Sequence, residues 1–234
     1  QTYSPIELII SDDKSTDNTV DLVNNWLQEK NSRFQNTKLI TSEKNTGVTG
    51  NVNRACKAAS GYYVKDIAGD DSLLPDYTSI CVDYFNTNIN CDILFTKLKH
   101  IDENNIEIEL NDDYSFFSLD INEQFKFIIE HGLPSIPTPS VIYRKDLLER
   151  MNYFDDRIPM WEDGPFYFKL LEQKVKLTIL NNCLVINKLL NNSISHEMSP
   201  RHKKSIALFY FLYVRKYNTK LIHRFKNTIK FSLF

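Results

Sequence analysis

Short apolar runs alternate with segments of helical periodicity through the first 98 residues, and this alternation constrains the fold more than any other feature. The runs have strand length, and the segments between them are long enough to cross over a sheet. Such crossovers favour parallel pairing with helices on both faces, so the chain is predicted to adopt an α/β, Rossmann-like fold with a mostly parallel sheet. The predicted strands are 6–11, 37–41, 62–68 and 91–98, and the predicted helices are 19–29, 48–60 and 75–85.

The pattern becomes looser after residue 100. It predicts a hairpin arm, then helices and strands in a less regular order, and finally a helical C-terminal tail. The predicted hairpin arm is 106–110, the predicted helices are 121–131, 145–151 and 165–173, and the predicted strands are 140–143, 175–180 and 183–187.

Cysteine usage and hydropathy indicate a protein without structural disulfides. Cys56, Cys81, Cys91 and Cys183 form no CxxC pair and have no metal-finger spacing with a histidine. We therefore expect buried free thiols in a reducing compartment. No signal-peptide pattern opens the chain, and no apolar run reaches the roughly 20 residues that span a bilayer. The expected location is cytoplasmic.

A basic C-terminal segment is concealed by the net charge of −2. Residues 201–234 contain nine Lys or Arg and no Asp or Glu, so the remainder has 19 basic and 30 acidic residues, a net charge of −11. Apolar residues interleave with these charges, as in an amphipathic helix on an anionic membrane surface. The alternative is a helix that packs on the domain and exposes its charges. The acidic body, without a nucleic-acid motif, argues against a nucleic-acid partner.

Two acidic pairs stand at the carboxyl ends of predicted strands. Because ligands of parallel sheets bind beyond these ends, Asp12-Asp13 and Asp70-Asp71 are expected on one rim. The adjacent carboxylates of Asp70-Asp71 repel each other and could hold a divalent cation together with substrate phosphates. A solvated turn before Pro75 is the alternative. For Asp12-Asp13, the alternatives are hydrogen bonds to a nucleotide and capping of the next helix.

A third acidic pair, Glu162-Asp163, follows Trp161 and precedes a predicted helix. A carboxylate that lies beside an aromatic wall and a helix N-terminus can serve as a general base. Capping of that helix is the alternative interpretation. From these residues alone, both interpretations stay open.

Short motifs occur in a fixed order over most of residues 1–196. The matching stretches are 6–19, 45–47 with Asn53, 59–64, 67–75 with Gly69-Asp70-Asp71, 138–145, 154–155, Trp161-Glu162-Asp163 and Asn191-Asn192-Ser193-Ile194-Ser195. In this order they resemble glycosyltransferase family 2, whose members have the glycosyltransferase A fold. The resemblance implies a metal-dependent, inverting transferase that takes a sugar from a nucleoside-diphosphate sugar, with UDP as the expected nucleotide.

The resemblance also implies roles for individual acidic residues. Asp13 would contact the nucleotide base, with Asp12 beside it. Asp71 would be the main ligand of Mg²⁺ or Mn²⁺, with Asp70 as a second ligand nearer the ribose. Further contacts to the nucleotide sugar are expected from Asn45, Gly47, Asn53 and Lys188.

For the second half of the chain, the resemblance implies that Asp163 activates the acceptor hydroxyl, with Glu162 as the fallback base. The acceptor is expected to be a saccharide or a lipid-linked sugar, in cell-surface polysaccharide or glycolipid synthesis. Residues 1–98 would form the nucleotide-sugar-binding half, 99–198 the acceptor-binding and catalytic half, and 199–234 the basic tail. A tail that binds lipid would place the protein on the inner face of the plasma membrane.

The chain departs from the family pattern in two places. Many members have Arg-x-His where this chain has Lys188-Leu189-Leu190. Lys188 supplies a point charge without a bidentate fork, and Leu190 cannot replace an imidazole. His196 is expected to be an exposed loop histidine, with compensation for Leu190 as the alternative. The chain also begins at Gln1 directly before a core strand, so we expect the family's first strand and helix to precede it.

Two other functions compete with the transferase. A sugar-nucleotide pyrophosphorylase shares a similar nucleotide-binding sheet, but it does not explain Glu162-Asp163 followed by the motif at 191–195. A catalytically silent binding module is the second alternative, and the departure at 188–190 favours it slightly. Metal-dependent transfer or hydrolysis of a donor would exclude the silent module.

Overall fold

The computed structural model describes residues 1–190 and 199–217, and over this range the predicted α/β fold class is confirmed. An N-terminal pair of parallel strands is joined by a crossover helix, as the helical periodicity of residues 19–29 predicts. These N-terminal elements are β1 (Glu7–Asp12), α1 (Thr19–Lys30), β2 (Asn36–Thr41) and α2 (Gly47–Ala58).

The later elements build a second, larger sheet and the helices that cover it. Its strands are β3 (Tyr63–Val64), β4 (Ser72–Leu73), β5 (Ile93–Ile101), β6 (Glu107–Ile108), β7 (Ile142–Arg144) and β8 (Thr178–Lys188). The helices are α3 (Tyr77–Thr87), α4 (Ile121–His131), α5 (Lys145–Arg150), α6 (Asp163–Glu172) and α7 (Pro200–Phe209), which continues into a π-helical turn at Tyr210–Val214.

In the second sheet the strand order is β3-β7-β5-β8-β4, and β6 pairs with β5. The central strands β5 and β8 run parallel, from Leu94 opposite Thr178 to Ile101 opposite Lys188. The four other pairings of this sheet in the described chain are antiparallel, and each joins only two residue pairs. Most paired residues therefore lie in the two parallel ladders, although antiparallel pairings are more numerous.

Two predicted strand boundaries are wrong. The predicted strand 62–68 pairs only at Tyr63–Val64, where it runs antiparallel to β7, and the charged residues Lys65 and Asp66 follow the paired stretch. The predicted strands 175–180 and 183–187 form the single strand β8, whose register against β5 shifts near Thr96 and Lys97. Such an irregularity keeps a strand continuous while it breaks the alternation of side chains, so the hydrophobic pattern alone divides it.

Alternate residues of β5 face two separate apolar clusters. Ile93 and Phe95 belong to the larger cluster, with α4, α6 and α7, whereas Leu94 belongs to the smaller one, with α3. Phe95 meets Tyr167 of α6 edge-on, with ring centroids 5.4 Å apart. Both faces of this strand are therefore buried at its start, which explains why it begins with three consecutive apolar residues rather than an alternating pattern.

The C-terminal residues that the structure describes pack on the domain. Phe209 is buried against Trp161, with ring centroids 5.0 Å apart, and Val214 is buried as well. The Ser205 hydroxyl accepts a hydrogen bond from Met160 N at 3.2 Å. Over 199–217 the structure therefore agrees with a helix that packs on the domain. Residues 218–234, where the other basic and apolar residues stand, lie outside the described part.

All four cysteines are free thiols. Cys56 and Cys81 are buried, whereas Cys183 is exposed, so the expectation of burial is wrong at that position. Cys183 belongs to a solvent-exposed stretch of β8, close to the shift in its register. No helix within 1–190 and 199–217 combines the length and the apolar character needed to cross a bilayer.

α4 shows how local sequence fixes a helix. The Asp120 side chain accepts hydrogen bonds from the N–H groups of Asn122 and Glu123, and Glu123 accepts one from Asp120 N, which completes a capping box. Within the helix, the buried Gln124 amide donates to Leu177 O at 3.0 Å and accepts from Leu177 N at 3.1 Å. It also donates to Phe116 O. One side chain thus joins α4 to the segment before β8.

We expect Gln124→Leu to lower the free energy of unfolding by about 3 kcal/mol, because each buried backbone group that it leaves unpaired costs about 1–3 kcal/mol. Chemical denaturation of the variant and the wild type measures the difference. Gln28→Leu, at an exposed position of α1, is the control and should change the free energy by less than about 0.5 kcal/mol. Equal effects of the two substitutions would contradict the structural role of Gln124.

Candidate functional site

Asp13 directly follows β1 and caps the N-terminus of α2 with its carboxylate. Its Oδ2 accepts hydrogen bonds from the N–H groups of Thr46 and Gly47, both at 2.8 Å. Its Oδ1 accepts from Thr46 Oγ1 at 2.6 Å and from Arg54 at 3.1 Å. Burial acts to raise the pKa of Asp13, but these donors together hold it below its ordinary value. The first acidic pair therefore caps a helix, but that helix is α2 rather than the adjacent α1.

Asp12 shapes the loop that follows β1. Its Oδ1 accepts from the N–H groups of Lys14 and Ser15, both at 3.0 Å, and its Oδ2 accepts from the Ser15 hydroxyl. The hydroxyl of Ser15 is the main reason that the pKa of Asp12 lies below its ordinary value. Lys14 adopts a left-handed conformation with φ of 69° inside this turn.

The other predicted nucleotide contacts also serve α2 and its neighbours. Asn45 donates to Asp13 O at 3.2 Å. Gly47 has φ of +83°, and a Cβ there would lie 2.6 Å from Pro159 O, so both the backbone and the space require glycine. Asn53 is buried, donates to Phe154 O at 2.9 Å and accepts from Phe154 N at 3.0 Å. Sequence analysis assigned no role to Pro159 or Phe154, which take part in these contacts.

The segment 154–161, here called the connecting segment, lies between α2 and α7. Thr49 of α2 donates from Oγ1 to Ile158 O at 2.5 Å and from N to Pro159 O at 3.2 Å. From the other side, Ser205 of α7 accepts from Met160 N. The connecting segment leads directly into the third acidic pair. The contacts of α2 and α7 with the connecting segment therefore fix the position of Glu162-Asp163.

Asp70 and Asp71 differ in their surroundings. Asp70 is exposed, whereas Asp71 is partly buried and its Oδ1 accepts from Asn187 Nδ2 at 2.9 Å and from Lys188 N at 3.1 Å. Burial raises the pKa of Asp71 although these two hydrogen bonds act to lower it. Lys188 thus meets Asp71 through its backbone, while its ammonium donates to Asn105 Oδ1 at 3.3 Å.

The second and third acidic pairs share two charged neighbours that the sequence analysis missed. Burial lowers the pKa of Lys65, whose charge acts on Asp71 and on Asp66. Burial raises the pKa of Asp66, whose charge acts on Asp163. Within the described residues, the buried Oδ1 of Asp66 has no hydrogen-bond partner. The signal was present in the sequence, because consecutive charged residues are rare inside an apolar strand.

Asp163 begins α6 and is held on both oxygens. Its Oδ2 accepts from Thr138 Oγ1 at 2.6 Å, and its Oδ1 accepts from Gly164 N at 2.7 Å. Thr138 in turn accepts from the Tyr167 hydroxyl at 3.3 Å. Burial, and then the charge of Asp163, raise the pKa of Glu162 to about 8. Glu162 therefore holds its proton more tightly than an exposed glutamate does.

Contacts connect the three acidic pairs, although no single contact joins them all. Asp71 and Asp163 are linked electrostatically through Lys65 and Asp66. Asp13 is linked to the third pair through Gly47 and the connecting segment. Within 1–190 and 199–217, no group of three or more acidic, cysteine or histidine side chains is arranged to hold a metal ion.

Residues 1–151 match the family model described as Glycosyl transferase family 2. The chain belongs to this family. The match extends from β1 through α5 and contains the first two acidic pairs; the third pair lies beyond it.

Relatives of this glycosyltransferase family 2 chain include proteins of very different length. It is 25% identical over 222 residues to the "Uncharacterized glycosyltransferase MJ1057" of Methanocaldococcus jannaschii, covering 94% of this chain and 72% of that protein. It is 33% identical over 102 residues to an Escherichia coli "Chondroitin synthase", covering 44% of this chain but only 14% of that protein. The matched synthase region is therefore a small part of a much longer protein.

Solved glycosyltransferase structures share the fold. S. aureus TarS 1-349 in complex with UDP-GlcNAc superimposes with a TM-score of 0.63 at 18% identity, over 88% of this chain and 56% of that one. GalNAc-T7 with UDP, GalNAc and Mn²⁺ superimposes with a TM-score of 0.59 at 12% identity, over 89% of this chain and 41% of that one. The family and the fold together support glycosyltransferase activity.

The raised pKa of Glu162 predicts a specific pH dependence of stability. Between the ordinary value of 4.5 and about 8, the folded protein retains a proton that the unfolded chain has lost, so stability falls as pH rises through this range. Glu162→Gln removes this contribution, so the variant should gain stability relative to the wild type between pH 5 and pH 9. Thermal unfolding at several pH values measures the difference.

The matched control for this series is Glu29→Gln, because Glu29 is an exposed carboxyl at the end of α1. The stability of that variant relative to the wild type should not change over the same pH range. A difference between Glu162→Gln and the wild type that stays constant from pH 5 to pH 9 would show that Glu162 titrates at its ordinary value.

Proposed function

We propose that the protein transfers a sugar from a nucleoside-diphosphate sugar to an acceptor hydroxyl, with inversion at the anomeric carbon. The observation that carries this proposal is that hydrogen bonds hold the carboxylates of Asp71, beside β8, and of Asp163, at the start of α6, in fixed orientations in a member of glycosyl transferase family 2. Neighbours solved with UDP and UDP-GlcNAc support a UDP-sugar as the donor. Residues 1–98 then serve mainly as the nucleotide-sugar-binding half, and 99–198 as the acceptor-binding half.

We propose that Asp13 and its neighbours form one side of the nucleotide site and have fixed positions before the nucleotide binds. Both oxygens of Asp13 already accept hydrogen bonds, two of them from the N-terminus of α2. Each carboxylate oxygen has a second lone pair, so a nucleotide N–H or hydroxyl can be shared with these donors. Asn45 and Gly47 fix the adjoining turn, and Asp12 fixes the loop on its other side.

The residues of the second acidic pair fit a divalent cation. Both hydrogen bonds to Asp71 fall on Oδ1, so Oδ2 takes no part in them. Burial penalises the ionised form of Asp71, and a nearby cation would favour it. Mg²⁺ and Mn²⁺ are commonly held by one or two carboxylates plus substrate phosphates, which agrees with Asp71 and Asp70 as the only protein ligands proposed here. When bound, such an ion would neutralise charge on the leaving diphosphate.

In the transfer step, Asp163 takes the proton of the acceptor hydroxyl. The acceptor oxygen forms a bond to the anomeric carbon while the bond from that carbon to the diphosphate oxygen breaks, and the electron pair leaves with the diphosphate. Attack from the opposite face inverts the configuration. The bonds from Thr138 and Gly164 hold the Asp163 carboxylate in one orientation. Glu162 is the fallback base, but with its pKa raised to about 8 it retains its proton at neutral pH and would accept one only in its ionised form at higher pH.

For the acceptor, we propose a saccharide or lipid-linked sugar in cell-surface polysaccharide or glycolipid synthesis. Relatives named as chondroitin and hyaluronan synthases, and one named as a glucosyltransferase acting on a diphosphoundecaprenol-linked sugar, support this class. Attachment to an anionic membrane surface through the basic tail is part of the same proposal. Because 199–217 packs on the domain, such binding would depend mainly on residues 218–234.

Asp163→Asn should lower kcat by about 10²- to 10⁴-fold, because general-base assistance contributes an acceleration of this size. The affinity for UDP should stay unchanged, since the substitution preserves the shape of the side chain. Transfer from UDP-GlcNAc, or donor hydrolysis, measures kcat, and calorimetry measures affinity. Asp21→Asn, at an exposed position of α1, is the control. Unchanged turnover of Asp163→Asn would remove this residue from the mechanism.

Asp71→Ala should abolish the part of UDP binding that requires Mn²⁺. Calorimetry with Mn²⁺ and with EDTA separates this part from metal-independent binding. Asp76→Ala, which removes an exposed carboxyl near the start of α3, is the control and should leave both affinities unchanged. Metal-dependent binding that persists in Asp71→Ala would contradict the cation site, and UDP that binds without any turnover would support the silent binding module.

A further inference from the structure

A continuous series of hydrogen bonds runs from Asp71 into the second sheet. Asn187 Nδ2 donates to Asp71 Oδ1 at 2.9 Å, and Asn187 Oδ1 lies 3.1 Å from His100 Nδ1. On its other side, His100 Nε2 lies 2.9 Å from Asp112 Oδ2. Asp112 Oδ2 also accepts the Tyr114 hydroxyl at 2.9 Å. His100 is buried, with 7% of its surface exposed.

The backbone of the sheet fixes these neighbours. His100 on β5 stands opposite Asn187 on β8 in the parallel ladder. β4 pairs with β8 so that Ser72 stands opposite Ile186, which places Asp71 beside Asn187. β6 pairs with the same end of β5, and Asp112 follows β6 closely in sequence. The series therefore depends on strand register rather than on flexible surface side chains.

Hydrogen-bonding rules determine the protons in this series. An ionised carboxylate can only accept, so the nitrogen of the Asn187 amide must point toward Asp71 and its oxygen toward His100. Nδ1 of His100 must then donate. The Asp112 carboxylate accepts on the other side of the ring, so Nε2 donates as well. All these bonds are made when both ring nitrogens carry a proton and the ring is paired with Asp112 at 2.9 Å.

We propose that His100 is a positioning residue that acts through Asn187 on Asp71. It holds the amide in the orientation that directs an N–H group at Oδ1, and thereby fixes the carboxylate so that Oδ2 is presented to a cation and the donor diphosphate. The inference rests on the proposed role of Asp71. Without the ring, only the Asp71 carboxylate would orient the amide, and the Asn187 oxygen would lose the partner that holds the side chain in place against Oδ1.

His100→Phe in the full chain tests this role, because phenylalanine retains the ring but removes both N–H donors. We expect the affinity for UDP with Mn²⁺ to fall by about 10- to 100-fold, as for other residues that orient metal ligands. The affinity for UDP in EDTA should stay unchanged. In the metal-free protein, the side-chain amide resonances of Asn187 should move. His131→Phe, at an exposed position of α4, is the matched control and should change none of these measurements.

The variant Asp112→Asn distinguishes loss of the Asn187 amide orientation from a general disruption of the buried cluster around His100. The new amide can donate one N–H to Nε2 and the other to the Tyr114 oxygen, so a neutral ring that keeps its proton on Nδ1 retains its bonds to Asn187 and to residue 112, while the Tyr114 hydroxyl changes from donor to acceptor. We therefore expect this variant to retain both the amide resonances of Asn187 and the affinity for UDP with Mn²⁺. A loss as large as that in His100→Phe would show that the charge or the packing of the cluster matters, and would overturn the orienting role.

The outcomes distinguish this inference from the function on which it rests. If Asp71→Ala loses metal-dependent binding while His100→Phe keeps it, the inference is overturned and the proposed function stands. If the side-chain amide resonances of Asn187 have the same positions in His100→Phe as in His131→Phe, the inference is likewise overturned. Metal-dependent binding that survives in Asp71→Ala would overturn both.

Discussion

Both backbone groups of Phe154 are held by one buried amide, that of Asn53, and the geometry of the candidate site depends on this interaction. Asn53 lies on α2, whose N-terminus is carried by Asp13. Phe154 begins the connecting segment that ends beside Glu162-Asp163. One helix therefore relates the first acidic pair to the third, although about 150 residues separate them in the chain. Because the hydrogen bonds are buried, any loss of register between α2 and this segment would leave backbone groups unpaired.

Charged groups that are penalised by burial are concentrated around the second and third acidic pairs. Lys65 and Asp66 are both penalised by burial, and Asp66 lacks a hydrogen bond to Oδ1 in the described chain. Such groups reduce stability unless they are paired, so they are expected at functional sites rather than in a structural core. The partly buried Asp71 and the raised pKa of Glu162 belong to the same region. A bound cation would relieve the penalty on the acidic groups, and a bound anion the penalty on Lys65.

Sequence patterns predicted the parts of the structure that local chemistry specifies. The helix at 121–131 was predicted with its bounds because Asp120 and Gly132 mark its ends. The single strand β8 was divided, since a shift in register leaves no signature in hydrophobic periodicity. Capping by Asp13 was assigned to the wrong helix because the N-terminus of α2 is distant in sequence. His100 was also missed, because its partner Asn187 is distant in sequence and a lone histidine in a strand gives no indication of its partners.

The connecting segment is held by α2 on one side and by α7 on the other, and this has a consequence for how the protein is made. Asn53 and Thr49 leave the ribosome long before Ser205 and Phe209, which hold the connecting segment from the other side. A nascent chain that has emerged only as far as residue 190 thus already contains all three acidic pairs but holds the third from one side only. Domains generally fold as units during synthesis, so the carboxylates would reach their final arrangement only after α7 has emerged. Translation order alone would thereby delay assembly of the site until α7 is available to pack.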